Sequence, residues 1–88
     1  MGGVPFPVRM PKNGMIHVPQ QLQEMLGINV GDRLLIVLIV DALGAEEEIV
    51  RLHDPGLIYI PWRIRARLGI EEDDPVLIIF KMIARSEL

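Results

Sequence analysis

The chain has 88 residues, a net charge of −3, half of its residues apolar and no cysteine. That length suits one small domain, in which a high apolar content has to compensate for a modest buried fraction. The absence of cysteine excludes a disulfide framework and a thiolate metal site, and the longest apolar run, Leu34 to Val40, is far short of the roughly 20 residues needed to cross a bilayer as a helix.

Met1 to Pro7 has neither the basic region nor the long apolar stretch of a secretory signal. It reads as a frayed terminus, and a cytoplasmic location without membrane attachment is expected. Val8-Arg9-Met10 is a short alternating strand, cut off by Pro11 and by Asn13-Gly14, a dipeptide that tolerates the positive φ of a tight hairpin. Met15 to Val18 is the returning strand. Pro19 cannot donate to a ladder but fits the first turn of a helix, so a two-turn helix is expected from there to Leu26, with Leu22 and Leu26 on one face and Met25 beside them. Gly27 stands where a left-handed residue closes a helix. Asn29-Val30-Gly31-Asp32 makes a turn, with the Asp32 carboxylate expected to hold it through backbone N–H groups. Arg33 to Val40 is continuously apolar after its first residue, which predicts a strand covered on both faces.

The plan then repeats. Gly14-Met15-Ile16-His17-Val18-Pro19, Leu22, Leu26-Gly27-Ile28 and Asp32 recur, displaced by 42 positions without a gap, as Gly56-Leu57-Ile58-Tyr59-Ile60-Pro61, Ile64, Leu68-Gly69-Ile70 and Asp74. The second copy reads as a strand from Glu48 to His53, a turn at Asp54-Pro55-Gly56, a strand to Ile60, a helix from Pro61 to Leu68 and a strand from Val76 to Ala84. A period of this size marks a duplicated supersecondary unit that cannot bury its apolar face alone. The expected fold is therefore one domain over 1–88, mainly β with two short helices. It consists of two strand-strand-helix-strand repeats, about 6–42 and 48–84, joined by a flexible 43–47 and related by approximate two-fold symmetry. Six short strands with so little helix point to a small closed or nearly closed barrel.

The motif Gly-x-Ile-x-Val-Pro-x-x-Leu-x-x-x-Leu-Gly-Ile-x-x-Gly-Asp at Gly14 to Asp32, matched again from Gly56 to Asp74, resembles the AbrB/MazE/SpoVT family of swapped-hairpin domains. Members of that family usually carry one copy per chain and interleave two chains. The resemblance thus implies a cradle-loop barrel formed as a pseudo-dimer within one polypeptide. A neighbouring topology, the double-psi barrel, also uses two such units and stays open as an alternative; Pro19 and Pro61 at the strand-helix joints favour the AbrB side.

The family consists largely of DNA-binding regulators and antitoxins whose first hairpin and helix carry bases toward the duplex. Carried over, this implies Arg9 and Lys12 on the first hairpin, Arg51 on the second, and Arg63, Arg65 and Arg67 on the second helix as DNA contacts, with Trp62 beside them. The chain departs from the pattern at Met15 and Leu57, where a base is common, and at Gln23-Glu24 on the first helix. The acidic net charge requires any basic patch to be local, and Arg63, Arg65 and Arg67 also suit a solvated helix face neutralised by Glu71 and Glu72.

Other chemistry is thin. His17 and His53 lack the converging ligands of a metal site, and Glu71 to Asp74 aligns with the turn that ends at Asp32. No Ser or Lys stands with a base at suggestive spacing, so neither an enzyme nor a cofactor is expected. Two functions remain: a regulator that binds double-stranded DNA, and a non-enzymatic, antitoxin-like or double-psi module that docks a protein partner. The gap-free repeat would also suit an engineered barrel. The apolar strands exceed what one small interior needs, which leaves a monomeric pseudo-dimer or a homodimer formed through them.

Overall fold

In a computed structural model, residues 3–41 and 44–84 are described. They form β1 (Val4–Arg9), β2 (Met15–His17), α1 (Gln20–Leu26), β3 (Arg33–Asp41), β4 (Gly44–Arg51), β5 (Leu57–Tyr59), α2 (Trp62–Leu68) and β6 (Pro75–Ala84). The fold is mainly β with two short helices, as the repeat predicts. Both helices follow a proline with extended ψ and end on a left-handed glycine, Gly27 at φ 66° and Gly69 at φ 69°. At each end the glycine and the next isoleucine return their N–H groups to the last turn, Gly27 to Glu24 and Ile28 to Gln23, Gly69 to Ala66 and Ile70 to Arg65. This double closure satisfies carbonyls that a seven-residue helix would otherwise leave open.

The strands are exchanged between the repeats. The four-stranded antiparallel sheet has the order β1-β6-β3-β4, and β2 pairs with β5 in a second, two-stranded sheet. β1 of the first repeat therefore lies against β6 of the second, while β4 of the second lies against β3 of the first. The pseudo-two-fold axis passes through the equivalent pairs Ile16–Ile58 and Val37–Ile79, which face each other in register. Backbone bonds beyond the strands obey the same symmetry. Val18 N–H donates to Gly56 O at 2.8 Å and Ile60 N–H to Gly14 O at 2.9 Å. Each turn before a long strand is closed by its aspartate: Asp32 accepts the N–H of Asn29, and Asp74 that of Glu71, both at 2.8 Å.

The same turns carry matching bulges. Gly31 N–H donates to Leu52 O, and Leu52 N–H to Asp32 O; Asp73 N–H donates to Met10 O, and Met10 N–H to Asp74 O. The first bulge residue takes a positive φ, which glycine accepts without strain. Gly31 fills it in one repeat at φ 98°, but Asp73 fills it in the other at φ 73°.

Alternate residues of both sheets meet in the core: Leu34, Ile36, Leu38, Val50, Val76, Ile78 and Phe80 from the large sheet, Ile16 and Ile58 from the small one. Met10, Val18, Leu52 and Ile60 fill its ends, and Ile64 enters from α2. Fully burying such side chains contributes about 1.5–3 kcal/mol each.

Five expectations are corrected. Residues 4–7 are strand rather than frayed: Pro5 and Pro7 are register partners of Ile79 and Leu77 on an edge strand. Met10 is a hydrogen-bonding position, so by alternation the prolines fall where no N–H to β6 is needed. Residues 44–47 belong to β4, which returns as a hairpin from β3, while 42–43 lie outside the described residues. β3 and β6 are covered on one face only, since Leu35, Val37, Ile39, Leu77 and Ile79 stay half-buried on the other. The barrel is not closed by a continuous ladder; two separate sheets face each other across the core. Met25, expected beside Leu22 and Leu26, is exposed.

Candidate functional site

The six basic residues expected at a DNA interface do not converge on one face. Arg65 and Lys12 come together: Arg65 NH1 donates to Lys12 O at 2.9 Å, bringing α2 onto the β1–β2 turn. Arg65 Nε also donates to Ile60 O at 3.0 Å, and its guanidinium stands 6.0 Å from the Tyr59 ring centroid. Arg63 and Arg67 project from the same helix toward β4, where they pair with Glu48 at 3.7 Å and with Glu46. Arg9 and Arg51 lie on the outward side of the large sheet, on its opposite edge strands β1 and β4. Arg9 donates to Asp73 O at 3.0 Å.

Arg65 has a structural twin. The equivalent residue of the first repeat is Gln23, whose Nε2 donates to Val18 O at 2.7 Å, the counterpart of Ile60 O. Each donor lies under a glycine of the other repeat's turn. A Cβ on Gly14 would approach Ile60 O to 2.6 Å and Arg65 Nε to 2.9 Å, and one on Gly56 would run into Gln23 Nε2. The helix side chain thus seals a buried strand end, and the glycine leaves room for it. Reading Arg65 only as a DNA contact misses this role, although the paired Gly14/Gly56 and Gln23/Arg65 spacings carried the signal.

The expected neutralising partners of the helix arginines also differ. Glu46 and Glu48 of β4 take Arg67 and Arg63, where the sequence suggested Glu71 and Glu72. These pairs are surface contacts, with the arginine side chains 65% and 58% exposed for Arg63 and Arg67. Each contributes a fraction of a kcal/mol to about 1 kcal/mol at most. Trp62 is exposed at the start of α2. His17 and His53 are both exposed, and no group of three or more His, Cys, Asp or Glu side chains gathers as a metal site among the described residues.

The surplus apolar residues of the long strands, for which the sequence offers a homodimer, lie on the outer face of the large sheet. Leu35, Val37 and Ile39 of β3 stand beside Leu77 and Ile79 of β6, flanked by Pro5 and Pro7 on one edge and by Ile49, 64% exposed, on the other. An open cleft of about 290 Å³ at one end of this face is lined by Pro7, Ile39, Pro75 and Leu77. Glu47 and Lys81 are its exposed charges near the centre.

No protein-family model matches the chain, and no curated protein matches it. Among solved structures, the chain is similar to PHS018 from Pyrococcus horikoshii, determined in solution, at 19% identity and a TM-score of 0.84, covering 100% of this chain and 99% of that one. At that identity the likeness shows the fold. No helix among the described residues is long and apolar enough to cross a membrane.

Proposed function

We propose that the chain is a non-enzymatic protein-interaction module of the cytoplasm whose outer sheet face docks a second copy of itself. The observation that carries this is the continuous apolar stretch from Pro5 and Pro7 through Ile79, Leu77, Val37, Leu35 and Ile39 to Ile49. Four strands about 4.8 Å apart and six residues at about 3.3 Å give this face an area of roughly 400 Å², most of it apolar, and contiguous apolar surface on that scale is often functional. A standard interface needs about 800 Å² per partner, so the rim must join in. The face itself carries both signs, Glu47 and Lys81, which suits a surface meeting its own like.

A second reading keeps the resemblance of the repeat to the AbrB/MazE/SpoVT pattern at its centre. Lys12, Arg65, Tyr59 and the exposed Trp62 sit together at the start of α2, and that cluster is small but of the right chemistry for a DNA backbone. Arg63 and Arg67 would have to leave Glu48 and Glu46 to extend it.

Sedimentation velocity from micromolar to millimolar protein, on the wild type and on Val37→Lys and Ile79→Lys, tests the first reading. A concentration-dependent dimer that both substitutions abolish, with unchanged circular dichroism, is the expected result. A wild type that stays monomeric throughout rules out the second copy. Fluorescence anisotropy of a mixed-sequence duplex at low and near-physiological salt tests the other reading: salt-sensitive binding lost in Lys12→Ala and Arg63→Ala would favour the regulator.

A further inference from the structure

The repeats place an arginine at equivalent points of the large sheet, Arg9 at the end of β1 and Arg51 at the end of β4, each just before a buried residue, Met10 or Leu52. Their neighbours across the ladder differ. Arg9 faces Pro75, whereas Arg51 faces Arg33. Arg9 finds a partner within the chain, the carbonyl of Asp73. Among the described residues, Arg33 and Arg51 take part in neither of the ion pairs, which involve Arg63 and Arg67, and both are exposed.

Backbone bonding brings the two close. Leu52 N–H donates to Asp32 O, so the next pair along, Arg33 and Arg51, occupies a non-hydrogen-bonded position, where facing Cα atoms are about 4.5 Å apart and side chains lie nearer. Leu34 and Val50 point into the core, so both arginines leave from the outer face. Like charges directly opposite each other on a ladder are destabilising. The neighbouring Asp32 is buried and turned toward the Asn29 N–H. The next outward acid on β4, Glu47, is four residues from Arg51, about 13 Å along the strand.

A pair of guanidinium forks on one face matches a phosphate group. A phosphate monoester carries a charge of about −1.5 to −2 near neutral pH and offers three acceptor oxygens, enough to balance both arginines with bidentate hydrogen bonds. A single carboxylate would leave one charge unmatched. We propose that Arg33 and Arg51 form a phosphate-binding site on the outer face of the large sheet. The site stands independently of what covers the apolar patch beside it.

Thermal unfolding in sodium phosphate and in sodium chloride at equal ionic strength, with amide NMR, tests the site in the wild type, Arg33→Gln, Arg51→Gln and, as a control, Arg9→Gln. In chloride, Arg33→Gln and Arg51→Gln should melt higher than the wild type, because the repulsion is gone. Phosphate should raise the wild type and Arg9→Gln by several degrees, leave the other two near their chloride values, and shift the amide signals of residues 33 and 51 saturably. Equal stabilisation of all four proteins, or no saturable shift at 33 and 51, overturns the proposal. Glu87→Gln is included as a control for an acid of the chain itself. A phosphate response confined to that variant would mean that the chain supplies its own anion, and overturns an external ligand. O-phosphoserine and a short duplex then separate a monoester from a phosphodiester source, by which of them shifts the same signals at lower concentration.

Discussion

The two helices have one backbone and two surfaces. Around α1, the flank carries Met25 in the open, and Phe6 of β1 stacks on Phe80 with ring centroids 6.1 Å apart. Around α2, the equivalent positions are Arg67 and Glu48, and the helix is held to β4 by ion pairs to Glu46 and Glu48. Beneath these differences the joints coincide: proline before the helix, glycine after it, and a side-chain donor reaching the buried strand end from Gln23 or Arg65. The duplication therefore holds constant what closes backbone hydrogen bonds and leaves free what faces water. A basic helix surface in one copy is weak evidence of a ligand until its internal partners are counted.

Substitutions at paired positions show how far this equivalence extends. The largest effect is expected at the axis, where Ile16→Ala and Ile58→Ala should each cost about 2–5 kcal/mol in urea unfolding; costs differing by more than the span of that range would break the symmetry of the core. Next, Gly14→Ala should cost about 2–4 kcal/mol, combining a left-handed backbone with the approach to Ile60 O. Gly69→Ala, with nothing within 4 Å of the added Cβ, should cost only the left-handed penalty of about 1 kcal/mol. Equal losses at the two glycines would show that the turn packing contributes nothing. Gln23→Ala should cost about 1–3 kcal/mol by leaving Val18 O unsatisfied, while Arg65→Gln should be near neutral, because glutamine already performs this task in the first repeat; a loss as large as that of Gln23→Ala would place the weight on the bond to Lys12 O. The smallest effect is a gain: Asp73→Gly should stabilise by roughly 0.5–1 kcal/mol, since the second bulge then matches Gly31, and an unchanged midpoint would show that aspartate already tolerates that φ.

Much of the architecture was legible. The 42-residue displacement located both helices to within a residue or so and placed Asp32 and Asp74 in their turns. What escaped were properties decided by partners far along the chain. Pro5 and Pro7 look like a frayed end until β6 is known to lie beside them. Leu34 to Val40 looks doubly covered because the outer face of the sheet is as apolar as the inner one. Arg65 reads as a surface base because Lys12 O is 53 positions away. The outward pairing of Arg33 with Arg51 depends on a hairpin register that residue types alone do not specify.

The exchange of strands has a consequence for how this chain can be cut and rejoined. β1 runs antiparallel to β6 in the same register that relates β4 to β3. A linker from the end of β6 to the start of β1, with a break between β3 and β4, would give the element order of the original with the two halves renamed. Such a circular permutant retains every pairing while turning the most distant strand contact, β1 with β6, into a local hairpin, and making β3 with β4 the distant one. Comparing the folding rates of the two versions would show which hairpin closes first, independently of any change in the final fold.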